Sequence, residues 1–198
     1  MFLDGGDGNG KDTVIQNFTS RLSGIGGYSY EVLHFPSPGP IGQVIYTVLK
    51  NPVEYAYILS KPLSLQLLFE ADRYSMLDKF EAAKRSPKHI LFLNRWWTSG
   101  IAYSKANGLR GKGLELVERL VQLYPRPDFG FILDTPVSVA QVRMTGRTLD
   151  SFESNVPLQV QVREELLSLA RKHHFFVLDG NLPPGTLGKM VFDTVLNL

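Results

Sequence analysis

The sequence contains no cysteine, which excludes a disulfide framework, a thiolate zinc site and a cysteine nucleophile. Long apolar runs are missing too, since none approaches the roughly 20 residues that a membrane-spanning helix needs. The opening Met1-Phe2-Leu3-Asp4 has neither a basic n-region nor an apolar h-region, so no signal peptide is expected. His34, His89, His173 and His174 show no metal spacing such as H-x3-H. Excess charge is scarce as well: 21 Lys+Arg against 19 Asp+Glu leave +2, and no basic stripe marks a nucleic-acid surface. These absences lead to the expectation of a cytoplasmic protein with neither a nucleic-acid nor a membrane partner.

What is present suits one globular unit. Over 198 residues, 43% are hydrophobic and 11% aromatic, enough to bury the core of a single domain spanning 1–198. Short apolar runs alternate with longer helix-like segments. Phe2-Leu3 leads into a glycine-rich stretch, and residues 12–22 carry Val14, Ile15, Phe18 and Leu22 at helical spacing. Strands are expected at 30–35 (YEVLHF), 89–93 (HILFL), 129–133 (FGFIL) and 175–178 (FFVL). Between and after them, helical patterns cover 41–49, 64–85, 113–123, 137–144, 158–173 and 185–198. This alternation predicts an open parallel α/β sheet of about five strands with right-handed crossovers. Ligands in such sheets sit beyond the carboxyl ends of the strands, where Asp4, Phe35, Asn94, Asp134 and Asp179 fall.

The strongest local signal is Gly5-Gly6-Asp7-Gly8-Asn9-Gly10-Lys11, which fits G-x-x-x-x-G-K between a strand and a helix. Glycines let the backbone wrap phosphate oxygens with inward N–H groups, and the helix N-terminus adds positive potential. Lys11 is placed to reach the β- and γ-phosphates of a nucleoside triphosphate. The next position, usually Ser or Thr, is Asp12, followed by Thr13. Either side chain could supply Mg²⁺ with a hard oxygen ligand, and the spacing does not choose between them.

At this point the chain resembles the thymidylate kinases, within the P-loop nucleoside-monophosphate kinases. Residues 4–11 are similar to that family's E-G-x-D-x-x-G-K start, with Asp4 in place of Glu. Phe35-Pro36 and Gly39-Pro40-Ile41-Gly42 resemble its F-P segment and the helix start that follows. Leu67-Leu68-Phe69-Glu70-Ala71-Asp72-Arg73 is similar to L-L-F-x-A-x-R, and Asn94-Arg95-Trp96 through Tyr103 is similar to D-R-Y-x-x-S-x-x-A-Y/F. Ile132-Leu133-Asp134-Thr135-Pro136, with Arg143, Arg147, Asp150 and Phe152-Glu153, resembles the strand and lid region. The resemblance implies a P-loop three-layer fold with helices on both faces of the sheet, a lid near 143–155, and a homodimer joined through helices including 41–49 and 64–85. It implies transfer of the ATP γ-phosphoryl to a deoxynucleoside monophosphate, most of all dTMP, with Mg²⁺ accompanying ATP.

The resemblance also carries site residues. Gly5, Asp7, Gly8, Asn9, Gly10, Lys11, Asp12, Thr13 and Arg143 would bind ATP, with Asp12 and Thr13 as the metal candidates. Phe35, Phe69, Arg73, Arg95, Ser99 and Tyr103 would surround the acceptor, together with Asp7, which could take the acceptor's 3′-OH or help hold Mg²⁺. Phe69 offers a face on which a base can stack, worth about 1–3 kcal/mol. Arg73, one turn on, could bond base or phosphate; Tyr103, sharing one face of a short helical turn with Ser99, would exclude a ribose 2′-OH. Lys11, Arg95 and Arg147 are the expected catalytic cations, because phosphoryl transfer depends on positioning and charge neutralisation. Residues 179–181 would lie near the adenine.

Three positions depart from the pattern. Asp12 stands in place of the hydroxyl residue and Asn94 in place of the acid before Arg95, so the pair reads as a relocated carboxylate. Ser37-Pro38 stands where an arginine usually meets the acceptor phosphate. These departures keep two other readings open: a kinase for a different nucleotide or nucleoside, and a divergent nucleotide-binding protein with little catalytic activity.

Overall fold

The computed structural model describes residues 1–196. Its elements run β1 (Phe2–Asp4), α1 (Lys11–Ile25), β2 (Ser29–His34), α2 (Pro40–Lys50), α3 (Ala56–Leu59), α4 (Pro62–Tyr74) and α5 (Leu77–Lys84). They continue with β3 (His89–Asn94), α6 (Trp97–Ala106), α7 (Gly111–Val121), β4 (Gly130–Asp134), α8 (Val137–Arg143), α9 (Val156–His173), β5 (Phe176–Asp179) and α10 (Pro184–Leu196). The five strands form one parallel sheet in the order β2-β3-β1-β4-β5, as expected.

Alternate strand residues explain the layers, because successive side chains point to opposite faces. Phe2, Leu91, Leu93 and Ile132 enter one core with residues of α6, α7 and α9. Leu3, Phe92, Phe131 and Leu133 enter the other with Val14, Ile15, Phe18 and Leu22 of α1 and Leu187 and Val191 of α10. A third cluster joins Ile45, Val48 and Leu49 of α2 to Leu65 of α4. The chain therefore leaves β1 and β3, which are neighbours, toward opposite faces of the sheet. A crevice opens between their carboxyl ends, where Asp4, Asn94 and the in-register His34 stand together.

Several elements differ from expectation: α3 falls where no helix was expected, β4 and β5 each lie one residue further on, and three differences are larger or bear on the site. The predicted helix over 64–85 is two helices: α4 ends at Tyr74 and α5 begins at Leu77. No glycine or proline marks that break, so the apolar periodicity ran through it. The strand predicted at 30–35 is shifted one residue toward the N-terminus, leaving Phe35 in the loop beyond it. The short turn expected around Ser99 is the ten-residue helix α6, of which eight consecutive residues, Trp97 to Ser104, are buried. Burial on all sides leaves no amphipathic stripe to read. Residues 197 and 198 of the last expected helix lie outside the described residues.

Candidate functional site

The glycine-rich segment links β1 to α1, whose N-terminus faces the crevice. Gly8 has φ +73° and a Cβ there would lie 2.6 Å from the Ala140 carbonyl oxygen, so both the turn and its packing against α8 require glycine. Inside the turn, the Lys11 ammonium donates to the carbonyls of Gly5 (3.0 Å) and Gly6 (2.6 Å). Burial lowers its pKa to about 8; Arg95 lowers it as well, while Asp7, Asp4 and Asp12 pull it back up.

Arg95 follows β3 with φ +69°, a left-handed conformation costing about 1–2 kcal/mol for a residue with a Cβ. That geometry turns its guanidinium into the crevice. It donates to the Gly5 carbonyl (2.9 Å) and Ser99 Oγ (3.2 Å), pairs with Asp7, and lies 5.5 Å from the Tyr103 ring centroid. Asp7 also accepts from Tyr103 Oη (2.7 Å) and Gln159 Nε2 (2.8 Å). Burial alone would raise the Asp7 pKa, but Arg95, Lys11 and these hydrogen bonds outweigh it and hold the carboxyl below its ordinary value. The Tyr103 hydroxyl is held well above its usual range, by burial first and then by Asp7, so it stays a donor.

Asp4 supports this arrangement from behind. Its fully buried carboxylate accepts from the backbone N–H groups of Gly5 (2.8 Å), Trp96 (3.3 Å) and Ser99 (2.8 Å), and from the hydroxyls of Thr98 and Ser99 (2.6 Å each). The N-cap residue of α6 makes no side-chain cap bond, so a carboxylate from another strand takes that role. Ser99, expected against the acceptor, thus spends its hydroxyl proton on Asp4.

One cavity of about 520 Å³ brings nearly all the expected site residues together. Asp7, Gly8, Asn9, Gly10, Lys11, Asp12 and Thr13 border it on the loop side, and Phe35, Phe69, Arg73, Ser99 and Tyr103 on the other. Arg95, Arg143 and Arg147 border it too. Gly5 does not, but its carbonyl anchors both Lys11 and Arg95. Arg143 bridges the carbonyls of Asn9 (3.2 Å) and Gly180 (2.9 Å), joining the phosphate loop to the 179–181 turn. Arg147 is 59% exposed and meets Glu153 at 3.3 Å. Its neighbour Phe152 stacks on Tyr103 with centroids 5.3 Å apart.

At the cavity mouth, Asn94 Nδ2 donates to Asp12 Oδ1 (2.6 Å) and lies 3.1 Å from His34 Nδ1. Asp12 and Asn94, read from the sequence as a relocated-carboxylate pair, are therefore in direct contact. Ser37 turns away from the cavity, donating through its N–H (2.7 Å) and hydroxyl (2.6 Å) to the buried Asp72. Several participants escaped the sequence reading, among them Gln66, which borders the cavity, Gln159 and Glu70. Gln159 of α9 contacts Asp7, Tyr103 and the Phe152 carbonyl. Glu70 of α4 is buried against Arg73. A glutamine and a glutamate at helix positions carry no signal that separates them from solvent-facing residues.

Comparison with known proteins gives a consistent picture. The family model described as thymidylate kinase matches residues 3–191. A probable thymidylate kinase of Metallosphaera sedula is 30% identical over 202 aligned residues, covering 100% of this chain and 92% of its own length. One from Pyrobaculum calidifontis is 31% identical, with 96% and 93% covered. One from Caldivirga maquilingensis is 29% identical, with 90% and 84% covered.

The Asp7 network has a defined pH signature. A carboxyl whose folded pKa lies below its unfolded value stabilises fully above the unfolded value and loses that contribution as pH falls through the folded one. In urea unfolding, Asp7→Asn is expected to cost about 2–4 kcal/mol at neutral pH, with the deficit narrowing below pH ~4. An equal deficit at both pH values would show that the ionised form of Asp7 is not what the network stabilises.

Proposed function

This chain belongs to the thymidylate kinase family, and from that premise we propose that it transfers the γ-phosphoryl group of ATP to the phosphate of dTMP. The observation that carries the reading is the single cavity in which a phosphate loop faces Phe69, Arg73 and Tyr103, with Arg95 touching both sides. In this reading the loop N–H groups and Lys11 hold the β- and γ-phosphates. Phe69 stacks the acceptor base, Arg73 bonds it, and Tyr103 crowds the 2′ position of the sugar.

Arg95 clamps the acceptor phosphate. Its planar fork suits two oxygens at once, and its contacts to Gly5, Asp7 and Ser99 fix it before substrate arrives. Arg147 closes from the lid, the segment near 143–155, and neutralises charge on the transferring group. Asp7 keeps its negative charge and receives a hydrogen bond from the 3′-OH. No covalent intermediate is needed, since the work is positioning and electrostatics.

Mg²⁺ with ATP belongs to the same reading. Among the described residues no group of three or more His, Cys, Asp or Glu could hold a metal alone. Mg²⁺ takes one or two carboxylates together with phosphates and water. The Asp12 carboxylate, 81% exposed beside Lys11, and the Thr13 hydroxyl would hold it. When bound, the ion would neutralise phosphate charge. The chain works in the cytoplasm as a homodimer through α2 and α4, which expose Val44 and Leu67; a monomer in sedimentation velocity would refute the dimer.

The decisive assay measures ADP formation against a panel of nucleoside monophosphates and nucleosides, with Lys11→Ala as the blank. Turnover is expected to be strongest with dTMP and to fall about 10²–10³-fold in Lys11→Ala. Preference for another acceptor points to the alternative kinase, and binding without Lys11-dependent turnover rules out catalysis. A second test addresses the Asp12–Asn94 contact. Asp12→Thr is expected to raise the Mg²⁺ concentration needed for tight ATP binding about tenfold, and adding Asn94→Asp to restore it. A double variant no better than the single one refutes the relocated carboxylate.

A further inference from the structure

Behind the acceptor side of the cavity lies a buried charge that the transfer reaction does not use. Glu70 of α4 is 4% exposed. Its Oε1 accepts from Gln66 Nε2 (2.5 Å) and Arg73 Nη1 (2.8 Å), and its Oε2 accepts from Tyr124 Oη (2.5 Å). The Tyr124 hydroxyl lies 3.1 Å from the Glu70 backbone carbonyl as well. Burial, followed by Glu70, pushes the Tyr124 hydroxyl far above its usual pKa, so it remains a donor. Gln66 and Arg73 both border the cavity, whereas Glu70 stands behind them.

A carboxylate only accepts hydrogen bonds, and that fixes what its two neighbours can present. Gln66 must turn its NH₂ to Glu70, which holds the nitrogen end of the amide away and leaves its oxygen free to face the cavity. Arg73 gives Nη1 to Glu70 and keeps its other donors. Among the described residues its Nε has no hydrogen-bond partner although the side chain is 2% exposed. Gly100 of α6 makes room for the assembly, because a Cβ there would lie 2.7 Å from Gln66 Nε2 and 2.8 Å from Glu70 Oε1.

We propose that Glu70, locked by Tyr124, is a positioning residue that sets Gln66 and Arg73 as one acceptor beside one donor for the edge of the substrate base. That pattern complements a base edge carrying an N–H next to a carbonyl, as in thymine or uracil. It opposes cytosine, whose ring nitrogen accepts and whose exocyclic amine donates. The inference rests on the acceptor site of the proposed kinase and adds how its base edge is read. Burying an acid solely to pair one arginine would be a poor way to stabilise the fold, since a buried ion pair roughly breaks even against apolar packing. Orienting two cavity-facing side chains gives that acid a purpose.

The test uses the full chain and compares wild type, Glu70→Gln, Tyr124→Phe and Gln66→Leu. For each, KM and kcat are measured with dTMP, dUMP and dCMP, and KM with ATP, after thermal unfolding has identified the folded variants. Glu70→Gln is expected to raise the dTMP KM about tenfold or more, to leave the ATP KM within about twofold, and to shrink the preference for dTMP over dCMP. Tyr124→Phe, which keeps the ring and loses only the hydroxyl, is expected to shift the same quantities in the same direction by a smaller factor. Gln66→Leu is expected to lose discrimination without the loss of ATP affinity that a damaged loop would cause.

The failures are distinguishable. Wild type without turnover on any nucleoside monophosphate overturns the proposed function itself. Wild type active on dTMP, with folded Tyr124→Phe and Gln66→Leu unchanged in dTMP KM and in dTMP-to-dCMP preference, overturns this inference alone. A variant that lowers kcat for all three acceptors equally, with each KM unchanged, also overturns it, because general damage to the site does not select among bases.

Discussion

The site depends on a carboxylate that does not itself border the cavity. Asp4 ends β1 with no solvent exposure and gathers five hydrogen bonds, three of them from backbone N–H groups. Leaving such a group unsatisfied in the interior would cost several kcal/mol, so β1, the phosphate loop and the first turn of α6 cannot easily separate. Lys11 hangs from the loop side of this joint and Ser99 from the helix side. Arg95 sits at the joint itself, 3.7 Å from Asp4 and hydrogen-bonded to both Gly5 and Ser99. The phosphate-loop and α6 sides of the cavity are thereby set at a fixed distance by one buried acid.

The same joint explains which parts of the fold were legible. Strands β3 and β4 are short, almost wholly apolar runs bounded by polar or turn residues, and the loop to Lys11 carries its glycines at fixed spacing. Local chemistry therefore announces them. Asp4 looked like any acid at a strand end, because its partners at Trp96, Thr98 and Ser99 lie some ninety residues away. Helix α6 hid for a related reason: nearly all of it is buried, so the periodic contrast that betrays a surface helix is missing. The break between α4 and α5 was invisible because Ser75 and Met76 are unremarkable helix residues.

At the site, nearly all the residues named from the resemblance meet in one cavity, but their partners were not legible. Phe69 and Arg73 were named through a linear motif, whereas Glu70 between them, at one of the variable positions of that motif, was given no role. Gln159 belongs to a helix whose exposed and buried faces were both plausible for a glutamine. Contact between Asp12 and Asn94 shows what a sequence can suggest and only geometry can place: two departures 82 positions apart, one gaining a carboxylate and one losing it, share a hydrogen bond.

Every cation of the cavity has an internal partner, and the strengths of those pairings differ enough to assign their mobility. Arg95 is held by a largely buried carboxylate, a carbonyl and a hydroxyl, and its backbone is committed to a left-handed turn. Moving it would break several contacts in a low-dielectric setting, so it is a fixed element. Arg73 is equally immobile, with Glu70 behind it. Arg147 is different, since a single pair with Glu153 and 59% exposure amount to about 0–1 kcal/mol of restraint. A phosphate bearing two charges can outcompete that pair readily. In the proposed reading the site combines rigid cations at the acceptor, Arg95 and Arg73, with one loosely held cation, Arg147, for the transferring group, and this division follows from burial rather than from residue type.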